Sequence, residues 1–119
     1  MTSYKDLIVW RKSFELTKEI YRLTGQFPQT EQYGLTSQLR RAAVSVVSNI
    51  AEGFSRKSLR ENRQFFSIAY GSTSEVETQL LLSKDLGYAV PEQYRKSESL
   101  LLEVRKMLNS MLSKSKLKD

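Results

Sequence analysis

The sequence predicts an all-α protein, an antiparallel up-down-up-down four-helix bundle. Three observations predict it. Apolar residues return at helical spacing through four long stretches. The few glycines and prolines fall mostly at the boundaries between those stretches. The links between them are too short for a crossover, so sequential helices should lie side by side. With 119 residues the chain has the size of one domain, enough to bury a core without disulfide or metal support.

The first helix is expected over about residues 4–24. Leu7, Trp10, Phe14, Thr17, Tyr21 and Thr24 share a face, which Leu16, Ile20 and Leu23 widen. Gly25 and Phe27-Pro28 supply its stop. The second helix is expected over about 30–54. Leu35, Leu39, Ala42, Ala43, Val46, Val47, Ile50 and Ala51 form its stripe, with Thr30 as a cap.

The third is expected over about 59–86. Ser58 and Glu61 have the spacing of a capping box, and Gly87 suits a left-handed C-terminal position. Its inner face reads Phe65, Phe66, Ala69, Ser72, Thr73, Val76, Leu80 and Ser83. The fourth is expected over about 91–113. Pro91 occupies a first position where its missing N–H is harmless. Tyr94, Leu101, Val104, Leu108 and Met111 face inward, and residues 114–119 form a flexible basic tail.

Some apolar residues are left over. Leu80-Leu81-Leu82, Leu100-Leu101-Leu102 and Leu7-Ile8-Val9-Trp10 are consecutive. Each step turns a helix by about 100°, so no run can face a single core. Scattered surface leucines are common, but a second apolar stripe also suits a subunit interface. A homo-oligomer is the expectation.

The chain has no histidine and no cysteine. Imidazole chemistry, thiolate chemistry and zinc sites built on those ligands are excluded. No metal and no cofactor is expected. The first ten residues lack the apolar core of a signal peptide, and no run approaches the roughly 20 residues of a membrane span. A cytoplasmic protein with no membrane partner is expected. The net charge of +6 favours anionic partners such as RNA or DNA, although a solvated basic surface has the same signature.

Residues 39–77 read LRRAAVSVVSNIAEGFSRKSLRENRQFFSIAYGSTSEVE; DLIVW and FPQTEQYGLTSQLRRA come before, and ETQL and DLGY after. In these blocks the chain resembles the bacterial four-helix bundle proteins encoded in intervening sequences of 23S ribosomal RNA genes. The accessory variability determinant of diversity-generating retroelements belongs to the same superfamily. The combination of RRAA, NIAEG and GS-x-x-E-x-E is specific, and valine-rich VSVVSN replaces a commoner isoleucine. The resemblance implies a left-handed bundle assembled as a ring, typically a pentamer. It also implies, for one branch, binding to a reverse transcriptase and to nucleic acid.

Three sets of residues are candidate sites. Arg56, Lys57, Arg60 and Arg63 cluster around the link between the second and third helices, with Arg40 and Arg41 earlier. Phosphate binding needs such clusters because each contact releases condensed counterions. Arg40 and Arg41 lie roughly 24 Å from Arg56 along the helix. They join the patch only if an oligomer brings them together. Surface charge paired with nearby glutamates is the plainer alternative.

Arg105, Lys106, Lys114, Lys116 and Lys118 form a second basic set, either an RNA-holding tail or a solubilising one. Asn49, Glu52 and Glu75, with Glu77 and Gln79, form the third. Glu75 and Glu77 point to different helix faces, which argues against paired-carboxylate catalysis. A polar network of Asn49, Glu52 and Glu75 that fixes helix register is expected instead, with Glu52 paired to an arginine or to backbone. No residue is assigned a catalytic role. The aromatic residues recur at core spacing rather than forming a base-stacking platform. The expected function is that of a non-enzymatic oligomer binding nucleic-acid phosphates. The alternative is a protein scaffold, for example for a reverse transcriptase, without nucleic-acid contact.

Overall fold

A computed structural model describes residues 3–118, with side chains as far as Lys114. Among the described residues there are four α-helices and no strand: α1 (Ile8–Thr24), α2 (Leu35–Ser55), α3 (Leu59–Asp85) and α4 (Pro91–Lys118). The particle measures 45 × 21 × 20 Å, the length of one helix by the width of two. Each helix packs on its neighbours in sequence, and α1 also packs on α4.

The contacts run in reversed order along each neighbouring pair. Thr17 in α1 donates to the Ala43 carbonyl of α2 (3.2 Å), while Thr24, later in α1, accepts from Arg40, earlier in α2 (2.8 Å). Between α3 and α4, Thr73 accepts from Arg105 (3.0 Å) and Ser83 meets the Tyr94 hydroxyl (2.9 Å). Between α1 and α4, Lys12 pairs with Glu103 and Glu19 with Lys96.

The core joins Leu16 and Ile20 of α1, Leu39, Val46 and Ile50 of α2, Val76 of α3, and Tyr94, Val104 and Leu108 of α4, all nearly or fully buried. The stripes expected in α2, α3 and α4 are largely those that face inward; Val47, Ala51, Phe65 and Met111 are half-buried.

The stripe expected in α1 requires correction. The structure buries Val9, Ser13, Leu16, Ile20, Leu23 and Thr24, and leaves Phe14 and Tyr21 each 45% exposed. Two apolar stripes run along this helix, and periodicity cannot choose between them. Ser13 makes the choice less legible still: its buried hydroxyl is satisfied locally by the Trp10 carbonyl (2.9 Å).

Three helix ends also differ from expectation. Residues 4–6 form a separate 3-10 turn capped by Ser3, and extended Leu7 leads into α1. Residues 29–31 form another, so α2 starts at Leu35 rather than Thr30. At the other end of the chain, α4 continues to Lys118 instead of giving way to a tail at 114. No glycine or proline interrupts it there, and lysines suit a helix C-terminus. The side chains of 115–119 lie outside the described residues.

The start of α2 is held by Glu31 rather than by Thr30. The Glu31 carboxylate accepts the Leu35 N–H (2.9 Å) and the Tyr88 hydroxyl (2.9 Å), which ties α2 to the α3–α4 link. Both donors favour the ionised form, and the Leu35 N–H leads in holding the carboxyl below its ordinary value of 4.5. A depressed folded value means the added stability is present above the ordinary value. It is lost as pH falls through the folded one. Below pH 4.5 the wild type is therefore expected to lose stability that Glu31→Gln does not lose. Thermal melts of both proteins from pH 6 to pH 3 check this; parallel curves would exclude it.

At the end of α3, Gly87 adopts φ +74°, as expected. Its N–H donates to the Lys84 carbonyl and that of Tyr88 to Ser83, at 3.1 and 3.0 Å, the two bonds of a Schellman stop.

Candidate nucleic-acid interface

The α2–α3 link is short and tightly held. Ser58 accepts the Glu61 N–H (3.2 Å) to start α3, and its hydroxyl donates to the Glu61 carboxylate (3.2 Å). Asn62 reaches back to close the end of α2, donating to the Gly53 carbonyl and to that of Arg56 (2.9 Å). This clasp places Arg56, Lys57 and Arg60, all exposed, and half-buried Arg63 around one corner.

These cations are not equivalent. The Arg56 guanidinium pairs with Glu52 (2.9 Å) and lies 4.8 Å from the centre of the Phe65 ring. It is oriented and partly neutralised. Lys57 and Arg60 project into solvent.

Arg40 and Arg41 do not join them. Arg40 donates to Thr24 and to the Tyr21 carbonyl (3.3 Å), and stacks 4.6 Å from the Tyr21 ring. It closes the last turn of α1, a structural task. Arg41 lines a shallow polar cleft with Gln38, Ser45, Glu75 and Gln79.

The expected network of Asn49, Glu52 and Glu75 is not assembled. Asn49 donates to the Ser45 carbonyl (2.8 Å) and hydroxyl (3.1 Å), and Ser45 meets Ser72 across the α2–α3 seam (2.8 Å). Glu52 is exposed and pairs with Arg56; Glu75 is exposed on the cleft. Small hydroxyls can be satisfied inside a close helix contact, whereas carboxylates are cheaper to leave in water. The polar link across the seam is made instead by Ser45, absent from the expected network, and Ser72, expected only as part of the inner face of α3.

The second basic set is also redistributed. Arg105 is a half-buried member of α4 whose guanidinium bonds Thr73, Ser74 and Tyr70 at 3.0, 3.0 and 3.3 Å. Lys106 and Lys114 are exposed, while the side chains of Lys116 and Lys118 lie outside the described residues.

The reversed helix order brings further charges to the same end. The half of the particle holding the α2–α3 link comprises residues 3–15, 46–72 and 103–114. It carries ten Lys and Arg against five Asp and Glu. The other half, residues 16–45 and 73–102, carries seven against seven. The positive charge of the described residues is therefore concentrated at one end of a 45 Å particle. Lys5, Arg11 and Lys12 contribute to it from α1 and the turn before it. Their distance in sequence from Arg56 hid them.

Among the described residues, no group of three or more His, Cys, Asp or Glu could hold a metal ion, and no helix is long and apolar enough to cross a membrane.

The profile of a protein family described as "23S rRNA-intervening sequence protein" matches residues 5–110. The chain is also similar to a crystal structure of a protein of unknown function from the S23 ribosomal protein family of Bacteroides thetaiotaomicron VPI-5482. The TM-score is 0.79 and the identity 25%, over 88% of this chain and 98% of that one. No curated protein is significantly similar to it.

Proposed function

Because the chain belongs to the family of 23S rRNA-intervening sequence proteins, we propose that it is a non-enzymatic, self-associating up-down bundle whose basic end holds RNA or DNA phosphates. The observation that carries this reading is the uneven charge: ten cations against five anions in one half, seven against seven in the other. Phosphate affinity comes from clustered cations, and the exposed residues Lys57 and Arg60, beside the oriented Arg56, form the centre of the cluster.

Anisotropy of a labelled RNA hairpin, and of DNA of the same sequence, tests it. Affinity is expected to fall steeply between about 50 and 200 mM salt, with little base preference. Lys57→Ala with Arg60→Ala should weaken binding for all sequences and lower the slope of log K against log salt by about 1.5 to 2, one unit or slightly less per phosphate contact. Absence of binding at about 50 mM salt would reject the reading. Cellular function that survives the triple replacement of Arg56, Lys57 and Arg60 by alanine would favour a protein scaffold instead.

Self-association is supported by the leftover leucines. Leu81, Leu82 and Leu102 are each about half exposed or more, more apolar surface than a solitary particle needs. Light scattering at micromolar concentration should give a mass above that of one chain.

A further inference from the structure

The α1–α2 and α3–α4 links meet at the end of the particle away from Lys57 and Arg60. The Tyr88 hydroxyl donates to Glu31 (2.9 Å), and its ring stands 5.5 Å from that of Phe27, centre to centre. These contacts join the two links into one surface. Three apolar side chains flank the junction and face solvent. Tyr33, two residues after Glu31, is 91% exposed; Leu86 and Val90, two residues before and after Tyr88, are 54% and 53% exposed. No other large apolar side chain among the described residues is as open as Tyr33.

The charge of this surface is of one sign. Residues 25–34 and 85–92 contain Glu31, Asp85 and Glu92 and no Lys or Arg, in a chain of net charge +6. Glu31 is occupied within the fold by the Leu35 N–H and the Tyr88 hydroxyl, whereas Asp85 and Glu92 are exposed. Asp85 is the last residue of α3. A carboxylate there meets the negative end of the helix dipole and weakens the helix. Lys84 beside it is paired with Glu98 (2.9 Å). A cation brought from outside relieves that repulsion.

We infer that this end of the particle docks a partner protein through a segment that carries Lys or Arg beside apolar side chains. An exposed aromatic anchor with apolar neighbours is the composition of a binding centre between proteins. The carboxylates select the partner by charge. A basic segment meets attraction here and repulsion at the Lys57–Arg60 end, so charge decides which end it takes. Nucleic acid and anionic lipid are repelled from the same place.

The surface is built before a partner arrives. Gly87 and Tyr88 close the Schellman stop, and the Gly34 N–H donates to the Glu31 carbonyl (3.0 Å). Little ordering is left to binding, which favours affinity. A partner held here leaves Lys57 and Arg60 open to phosphates, so the inference does not rest on the phosphate reading.

The probe is a labelled helical peptide of leucine and lysine at amphipathic spacing, with a counterpart that has glutamate in place of lysine. Anisotropy against the full chain at about 50 mM salt, where charges are weakly screened, should show binding of the first and none of the second. Tyr33→Ala should weaken it roughly tenfold or more, as truncation of an aromatic anchor does. Asp85→Asn with Glu92→Gln should weaken it too and flatten its salt dependence. All three positions are exposed, and helical circular dichroism checks that the variants fold. No binding of the lysine peptide, equal binding of the glutamate peptide, or binding that neither variant weakens overturns the inference. Tyr33→Ala should hold the RNA hairpin as the wild type does; loss of both ligands would put them on one surface and overturn it. A mass in solution that falls in Tyr33→Ala without peptide assigns the surface to a second copy, and overturns it as well.

Discussion

Tyr94→Ala is expected to remove a large share of the stability of this fold. Among the described residues Tyr94 is the largest fully buried side chain, sealed where α4 packs on the end of α3. Truncating a buried aromatic ring costs about 3–5 kcal/mol, because the cavity left behind does not close. A small domain is stable by only about 5–15 kcal/mol, so the urea midpoint should fall by about a fifth or more.

Tyr94→Phe separates the ring from its hydroxyl. The phenol meets Ser83 at 2.9 Å, but Ser83 also donates to the Leu80 carbonyl at 2.9 Å. Serine is therefore not orphaned, and the cost should be about 1 kcal/mol. Burial pushes the Tyr94 phenol above its ordinary value, against the opposing bond from Ser83, consistent with a ring held away from water. If the alanine variant unfolds no more easily than the phenylalanine one, Tyr94 is not a core residue.

Gly53→Ala carries the second large effect, for the opposite reason. A β-carbon at Gly53 would stand 2.7 and 2.8 Å from two ring carbons of Phe66 and 3.2 Å from the Asn62 carbonyl oxygen. Phe66 is itself buried, so its ring cannot swing into solvent. Overpacking of this kind costs about 1–3 kcal/mol, against a helix-propensity gain of about 1 kcal/mol from losing the glycine. A fall in the melting temperature is expected, together with a loosened α2–α3 link. Phe66→Leu in the Gly53→Ala background should recover part of the loss. A melting temperature that rises in Gly53→Ala would show that the helices separate freely there.

The same residue joins stability to the proposed function. Gly53 lets α3 approach the last turn of α2, and Asn62 then bonds the Gly53 and Arg56 carbonyls. That clasp holds Arg56 beside Lys57 and Arg60. Widening the contact should also weaken phosphate binding without removing a single cation.

Much of this was legible from residue order. Four helices, the Ser58 cap, the left-handed Gly87 and the inward faces of α2, α3 and α4 follow from local rules: 3.6-residue periodicity, capping chemistry and the absence of a β-carbon. The excess of leucine was legible for the same reason, since three in succession cannot all face one way. The role of Arg40 was not, because its partners Thr24 and Tyr21 are on another helix. The pairing of Glu52 with an arginine was legible, but the joining of Glu52 and Glu75 to Asn49 was misread, because a carboxylate's burial depends on what packs over it.

The sequence by itself determined that the chain is helical, where its helices lie to within a few residues, and that histidine and cysteine chemistry is absent. Only the tertiary structure decided which of two stripes on α1 enters the core. Only it gathered the scattered cations at one end and laid Arg40 across the last turn of α1. The reason is physical. Periodicity is a property of one helix, whereas burial, charge concentration and groove shape arise between helices, from contacts among residues up to about a hundred positions apart in the chain.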